Sequence, residues 1–173
     1  MRDLMTKTFA NMVTLLNIIF GSLSLICTLE HKFIAAAIFI LLAVVADTVD
    51  GRVARMFDAE SELGKELDSL CDLVSFGVAP AILLYTQVLA PHYGIIAILS
   101  ALLFIVCGAL RLARFNVLNI KEYFIGVPIT FAGMLLAIIS FFTAGLHPLI
   151  VLLALLILAF LMISNFKVPK IGQ

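Results

Sequence analysis

Long apolar stretches without charged residues dominate this chain and decide what it can fold into. Of its 173 residues, 64% are hydrophobic and 13% are charged, against roughly 45–50% and about 25% in soluble domains. This excess excludes a soluble globular domain. Five Pro and ten Gly are too few for a disordered or fibrous chain, and three Cys are too few for a disulfide scaffold. We therefore predict a polytopic membrane protein.

Six apolar stretches are long enough to be membrane-spanning helices, and short polar turns separate them. A helix needs about 20 mostly apolar residues to cross a hydrocarbon core about 30 Å thick. The expected fold is all-α, a polytopic bundle of six transmembrane helices that forms a single domain over residues 1–173. A short interfacial segment at Met1–Ala10 precedes the bundle. The predicted spans cover residues 11–29, 32–55, 66–90, 93–115, 124–145 and 148–166.

Basic residues are concentrated on one side of the predicted bundle. Ten of the eleven Lys and Arg fall in the two terminal segments and the two charged connections that share this side, and only Lys32 falls in the opposite turns. By the positive-inside rule, both termini and the charged connections of this multi-pass cell-membrane protein are predicted to face the cytoplasm. The sequence contains no basic run, which disfavours a nucleic-acid partner.

Acidic residues are clustered more strongly, because eight of the eleven Asp and Glu fall within 26 residues. Asp47 and Asp50 are three residues apart and Asp68 and Asp72 are four apart, so each pair projects from one face of its helix. The uncharged stretch Phe33–Ala46 supplies about 21 Å of helix, so Asp47 lies inside the cytoplasmic edge of the membrane. The two pairs are predicted to meet at matching depth.

Carboxylates inside a membrane are costly and require partners. Pairing with Arg52 or Arg55 is a structural alternative, but two arginines cannot satisfy four carboxylates that face one another. Divalent cations take oxygen ligands, and two facing carboxylate pairs are the arrangement expected of a two-metal site that clamps phosphates. The predicted metal ligands are Asp47, Asp50, Asp68 and Asp72.

The segment that contains these aspartates forms a longer pattern. Residues 47–72 read DTVDGRVARMFDAESELGKELDSLCD. The pattern D-x2-D-G-x2-A-R-x8-G-x3-D-x3-D resembles the signature of the CDP-alcohol phosphotransferases, membrane enzymes that make phospholipids from CDP-activated lipids. All eight specified positions match, so the resemblance is far more specific than a short glycine motif. It implies two divalent ions, Mg²⁺ or Mn²⁺, and a role for Asp72 as the base that deprotonates the acceptor alcohol.

The resemblance also implies a site for the CDP-activated lipid. Small residues at 51 and 54 leave room for a nucleotide diphosphate, and Arg55 can hold a phosphate through two donors. Close helix packing is the alternative for the small residues, and interhelical hydrogen bonding is the alternative for the polar residues of the first span. The predicted CDP-lipid-binding residues are Asn11, Thr14, Asn17, Gly51, Ala54, Arg55, Ser61 and Gly64.

The acceptor-binding residues are predicted at the cytoplasmic end of span four, where residues 111–116 read RLARFN. Arg111 and Arg114 share a helix face and suit a small anionic acceptor such as an amino acid; positive-inside anchoring is the alternative. This string, SFGVAP at 75–80 and F-x-G-x-P at 124–128 resemble the phosphatidylserine synthase branch of the family. The resemblance implies a homodimer that transfers phosphatidyl from a CDP-diacylglycerol-type lipid to L-serine. The predicted serine-binding residues are Arg111, Arg114 and Asn116.

Two other functions remain compatible with the sequence. The same chemistry could use glycerol 3-phosphate or inositol phosphate as acceptor, although a doubly charged phosphate requires more basic groups near the site. A divalent-cation transporter would need polar residues that continue to the far side of the membrane, and the spans are nearly uniformly apolar beyond Asp47 and Asp72. The sequence leaves open whether the lipid tails are ester-linked or ether-linked.

Overall fold

The computed structural model describes residues 2–56, 62–118, 123–164 and 167–169, with side chains at 14–49, 62–117 and 126–164. Within these ranges the chain forms six long helices, one short 3₁₀ turn at Thr143–Gly145 and two short strands. The predicted helical architecture is therefore confirmed. The helices are α1 (Arg2–Leu29), α2 (Phe33–Met56), α3 (Glu62–Tyr93), α4 (Ile95–Leu118), α5 (Ile129–Phe141) and α6 (Pro148–Ile163); the strands are β1 (Tyr123–Ile125) and β2 (Lys167–Pro169).

Two of these helices, α3 and α4, are long and apolar enough to cross a membrane. The other four contribute shorter apolar stretches of 10–17 residues within the described ranges. Helix α4 also leaves a stripe of large apolar side chains exposed at helical spacing, formed by Leu99, Leu103, Val106 and Leu110. A continuous apolar surface of this kind suits lipid rather than water. These are the features of a membrane protein.

Helix α3 lies at the centre of the bundle and contacts each of the other five helices. Small residues allow two neighbours to approach its backbone closely. A Cβ atom added at Gly133 on α5 would lie 2.7 Å from the Cα of Phe76, and one added at Gly21 on α1 would lie 2.8 Å from the Cα of Ser75. Membrane helices commonly pack through small residues in this way. The position of α3 is therefore set from two sides.

Two stretches of α3, Leu73–Val78 and Tyr85–Leu89, are π-helical. Pro80 has no N–H and cannot continue the α-helical bonding pattern. The Ala79 N–H instead bonds a carbonyl five residues earlier. The first irregular stretch begins directly after Asp72, beside the acidic residues.

The connection into α5 differs from its prediction. The fifth span was expected to begin at residue 124, but α5 begins at Ile129. Gly126 has φ +70° and Pro128 has ψ 139°, so the backbone before α5 is not helical. Strand β1 instead pairs antiparallel with β2, a short ribbon that the sequence pattern did not predict. Three-residue strands are too short to carry a recognisable period.

Helix α1 is continuous from Arg2 to Leu29, so no break separates the predicted interfacial segment from the first span. The helix ends in a tight turn in which His31 has φ +58°. The Lys32 N–H donates to the Cys27 carbonyl at 2.8 Å, and the His31 N–H donates to the Thr28 carbonyl at 3.0 Å. This pair of bonds closes a helix C-terminus. The turn lets α2 run back against α1, with which it makes extensive contact.

Candidate active site

Three aspartates from two helices converge at one end of the bundle. Asp47 lies on α2, and Asp68 and Asp72 lie one turn apart on α3. Each offers a carboxylate oxygen, and these oxygens lie within 4.8 Å of one another. Asp72 is 8% exposed, while the other two are half-buried. The structure thus brings together three of the four predicted metal ligands. The side chain of Asp50 lies outside the described residues, so its role stays a prediction.

The chemistry of this cluster favours a bound cation. Two carboxylate charges at this separation repel by roughly 3–4 kcal/mol at an effective dielectric constant of about 20. Hard divalent cations prefer carboxylate oxygens as ligands. The donor set of Asp47, Asp68 and Asp72 therefore fits Mg²⁺ or Mn²⁺, and these side chains would hold the ion.

Asn17 on α1 contacts this cluster directly. Its Nδ2 donates a hydrogen bond of 3.0 Å to Oδ1 of Asp72. The side chain is 1% exposed, and its Oδ1 has no hydrogen-bond partner among the described residues. Thr14, one turn earlier on the same helix, is also buried. Two predicted CDP-lipid-binding residues of the first span therefore lie on its inner face, and one of them contacts the predicted base.

A cavity of about 180 Å³ opens beside Asp68 and Asp72. It lies where α3, α4 and the start of α5 meet, so the acidic cluster forms one part of its wall. The rest of its lining includes basic, polar, aromatic and aliphatic groups. The other lining residues are Lys65, Ser69, Arg111, Leu112, Phe115, Asn116, Pro128 and Thr130.

The structure separates the two arginines that were predicted to bind the acceptor. Arg111 lines the cavity together with Asp72, and its Nε is buried without a hydrogen-bond partner among the described residues. Arg114 is exposed and does not line the cavity. A guanidinium with an unused donor is suited to bind an anionic group that enters the cavity. Arg111 is therefore the better placed of the two, and the role of Arg114 stays a prediction.

Asn116 lines the cavity but also links α4 to α3. Its Nδ2 donates to the Oγ of Ser69 at 3.0 Å and to Oε1 of Glu66 at 3.3 Å. The Nζ of Lys65 donates to the backbone carbonyl of Asn116 at 3.4 Å. Its side-chain amide is thus engaged within the protein, which gives it a clear structural role next to the predicted serine-binding one.

Residues 7–164 match the family model described as CDP-alcohol phosphatidyltransferase. The match covers the acidic cluster, Asn17 and the whole lining of the cavity. This chain belongs to the CDP-alcohol phosphatidyltransferase family.

Three named proteins are similar to this chain over most of its length. CDP-diacylglycerol–serine O-phosphatidyltransferase of Bacillus subtilis is 42% identical over 161 residues, which are 91% of this chain and 88% of that protein. The protein of the same name from Methanocaldococcus jannaschii is 43% identical over 163 residues, 94% of this chain and 74% of that protein. Archaetidylserine synthase of Methanothermobacter thermautotrophicus is 39% identical over 166 residues, covering 93% and 69%.

Part of the family signature lies outside the residues whose side chains are described. Gly64 lies near the start of α3, half-buried. Ser61 is outside the described ranges altogether. The side chains outside the described set also include Asn11, Gly51, Ala54 and Arg55, so their predicted contacts with the CDP-lipid stay predictions.

Six cavity residues were not assigned to the site from the sequence. Leu112 and Phe115 appeared only within the RLARFN string. Lys65 appeared only as one of the basic residues that set the orientation, and Pro128 only as part of the F-x-G-x-P string. Ser69 and Thr130 carried no signal, because a single hydroxyl residue in or near an apolar span is common. Because Ser69 follows Asp68 directly, it could have been suggested as a lining residue. Its hydrogen-bond partner Asn116 is distant in sequence, so that contact could not have been predicted.

Proposed function

We propose that this chain transfers the phosphatidyl group of CDP-diacylglycerol, or of an ether-lipid equivalent, to the hydroxyl of L-serine, giving phosphatidylserine and CMP. The names of the similar family members support serine as the acceptor. The observation that carries the proposal is a cavity that joins Asp68 and Asp72 to Arg111. The carboxylates that would bind a metal-associated diphosphate and the guanidinium that would bind the acceptor therefore line the same cavity.

The size and charge of the cavity suit serine. Its volume of about 180 Å³ equals that of roughly six water molecules, which is close to the seven heavy atoms of serine. The guanidinium of Arg111 pairs with the serine carboxylate, and Arg114 attracts the amino acid from the exposed surface. Asn116, held by Ser69, limits the cavity at the α3–α4 boundary.

In this mechanism the serine hydroxyl attacks the phosphorus that bears the lipid. A new phosphorus–oxygen bond forms, the bond from this phosphorus to the bridging oxygen of the diphosphate breaks, and CMP leaves with that oxygen. Asp72 accepts the hydroxyl proton, and Asn17 holds its carboxylate through the 3.0 Å bond to Oδ1. Asp47, Asp50, Asp68 and Asp72 would hold the two predicted divalent ions, and these would neutralise the charge of the diphosphate.

The CDP-lipid site extends from this cluster along α1 and α2. Thr14 and Asn17 border it on α1 together with Asn11, and Gly64 borders it on α3. The small residues and the arginine that follow the first acidic pair, Gly51, Ala54 and Arg55, hold the nucleotide diphosphate with Ser61. The lipid tails lie in the bilayer beside the bundle.

The whole chain forms one membrane domain in this proposal. Its six helices span the bilayer, and both termini and the active site face the cytoplasm, as the distribution of Lys and Arg supports. The enzyme functions as a homodimer in the cell membrane. Reporter fusions at residue 173 and at the 30–32 turn test the orientation: a cytoplasmic reporter at the first position and an external one at the second are expected.

Acceptor specificity provides the test of function. The purified protein in detergent is incubated with CDP-diacylglycerol and Mn²⁺ or Mg²⁺, and CMP release is measured with serine, glycerol 3-phosphate, inositol phosphate or no acceptor. CMP release that depends on serine and is lost in Asp72→Asn is expected. The exposed carboxylate of Glu62 on the same helix offers a matched control, Glu62→Gln, which should retain activity.

The other outcomes contradict specific parts of the proposal. CMP release with glycerol 3-phosphate or inositol phosphate but not serine would overturn the acceptor while retaining the metal site. Equal release by wild type and Asp72→Asn would overturn the assigned base. Release that needs no divalent ion would contradict the role of the acidic cluster.

A further inference from the structure

The contact between α1 and α3 is unusually close just beside the acidic cluster. A Cβ atom added at Gly21 would lie 2.2 Å from the Oγ of Ser75 and 2.8 Å from its Cα. Real Cβ atoms do not approach this closely, so only glycine at position 21 allows Ser75 to reach α1. Ser75 itself is fully buried. Neither residue has a role in the reaction proposed above.

Ser75 uses this closeness to bind the backbone of α1. Its Oγ donates a 3.0 Å hydrogen bond to the carbonyl oxygen of Asn17. The side chain of the same Asn17 donates to Oδ1 of Asp72. Asn17 and Gly21 are one turn apart on α1, and Asp72 and Ser75 are one turn apart on α3. The two hydrogen bonds therefore join the same turn of α1 to the same turn of α3. One uses the backbone carbonyl of Asn17 and the other uses its side chain.

We propose that Ser75 is a positioning residue that holds the Asn17 amide against Asp72, with Gly21 providing the space that this contact needs. Ser75 fixes the height of α1 relative to α3, and Asn17 then fixes the rotation of the Asp72 carboxylate. The catalytic importance of this contact rests on the proposed function, but Ser75 should affect the position of Asp72, and so metal binding, even without substrate.

The backbone around Ser75 gives a reason for such a device. Ser75 lies in the π-helical stretch Leu73–Val78, where regular α-helical bonding is interrupted directly after Asp72. A metal ligand next to an irregular turn is held less firmly by its own helix. A hydrogen bond from this stretch to α1, together with the close contact of Gly133 with Phe76, restores a fixed position. Groups that orient metal ligands typically change affinity or activity by 10–100-fold when removed.

Mn²⁺ binding measured by electron paramagnetic resonance tests the proposal without lipid or serine. Free Mn²⁺ is titrated against purified wild type, Ser75→Ala, Asn17→Ala and the double variant. Asn17→Ala is expected to weaken Mn²⁺ binding by roughly 10–100-fold, and Ser75→Ala by about 10-fold. Because Ser75 acts through Asn17, the double variant should bind no more weakly than Asn17→Ala alone.

A buried serine remote from the site provides the matched control. Ser100 is 4% exposed and donates to the Ile96 carbonyl within its own helix. Ser100→Ala should leave Mn²⁺ affinity unchanged even if it lowers thermal stability. Ser75→Cys, nearly the same size but a weak donor, replaces Ser75→Ala if the alanine variant does not purify as folded protein. It should also bind Mn²⁺ more weakly than wild type.

Kinetics add a second measurement. In serine-dependent CMP release, Ser75→Ala should lower kcat and raise the Mn²⁺ concentration needed for half-maximal rate, with KM for serine unchanged. Unchanged Mn²⁺ affinity in Ser75→Ala or Ser75→Cys would overturn the proposal, as would a further loss when Ser75→Ala is added to Asn17→Ala. If serine fails as the acceptor but the Mn²⁺ results hold, the proposed function fails and the positioning role stands.

Discussion

Helix α3 carries buried polar groups towards both of its ends, and the two clusters differ in charge. At one end, Asp68 and Asp72 meet Asp47 beside a cavity. At the other, Gln87 donates from Nε2 to the Ser140 carbonyl at 3.0 Å and to Oγ1 of Thr143 at 2.9 Å. Both clusters lie at a π-helical stretch, since Asp72 directly precedes the first and Gln87 lies within the second.

The neutral cluster has a structural purpose. The last carbonyls of a helix lack partners within the helix, and Gln87 and Thr143 both donate to the Ser140 carbonyl close to the end of α5. At the acidic end, the polar groups carry charge and surround a space that a ligand can enter. The comparison shows that buried polarity and an irregular helix do not by themselves mark an active site. What distinguishes the acidic end is concentrated like charge beside a cavity.

Metal removal should distinguish the two ends most strongly. Chelation by EDTA is expected to abolish CMP release and to lower the thermal midpoint, because an ion present at 100 times its Kd stabilises the folded protein by about 2.7 kcal/mol. Added Mg²⁺ or Mn²⁺ should restore both. Gln87→Leu should show the same response to EDTA as wild type. If EDTA changed neither the thermal midpoint nor CMP release, the acidic and neutral clusters would not differ in metal binding.

Substitution of the half-buried aspartate on α3 should give the next largest effect. Asp68→Asn keeps the shape of the side chain but removes one ligand charge. Turnover and Mn²⁺ affinity should each fall by at least about 10-fold, because even groups that only orient metal ligands change them by roughly 10–100-fold. Initial rates at several Mn²⁺ concentrations measure both quantities. If the Asp68→Asn variant matched wild-type activity at all Mn²⁺ concentrations, Asp68 would be excluded as a ligand.

The two arginines provide a finer test within the acidic end. Arg111 lines the cavity and Arg114 does not, so Arg111→Gln should raise KM for serine more than Arg114→Gln does. A charge-assisted hydrogen bond contributes about 1.5–3 kcal/mol, which corresponds to a rise of roughly 10–100-fold in KM. Serine kinetics at saturating CDP-diacylglycerol measure the difference. If the two substitutions raised KM equally, Arg111 would not be the specific partner of the serine carboxylate.

The neutral end should affect stability and leave chemistry unchanged. Gln87→Leu removes two hydrogen bonds, one to the Ser140 carbonyl and one to Oγ1 of Thr143, which should lower the free energy of unfolding by about 1–3 kcal/mol. Thermal unfolding in detergent measures this decrease. Thr143→Val also removes two hydrogen bonds, one accepted from Gln87 and one donated to the Ser140 carbonyl, so it should lower the free energy of unfolding by a similar amount. KM for serine and Mn²⁺ affinity should match wild type. A change in either would connect the far cluster to the active site.

Prediction from sequence worked for residue spacing along one helix and for the depth at which two helices place their acidic residues. The spacing of Asp68 and Asp72 places both on one face of α3, and their convergence with Asp47 was expected from matching depth. The start of α5 was misplaced because residues 124–128 are as apolar as a helix but are held outside it by Gly126 and Pro128. Composition alone does not distinguish those two states.

Hydrophobicity and residue spacing are local properties of the chain, so they were enough to predict its membrane class, its helical architecture and the family signature around the aspartates. Only the packed helices show that Arg111 rather than Arg114 lines the cavity and that Asn17 contacts Asp72. These depend on the rotation and height of each helix. Packing at small residues such as Gly21 and Gly133 sets both, and it joins residues distant in sequence.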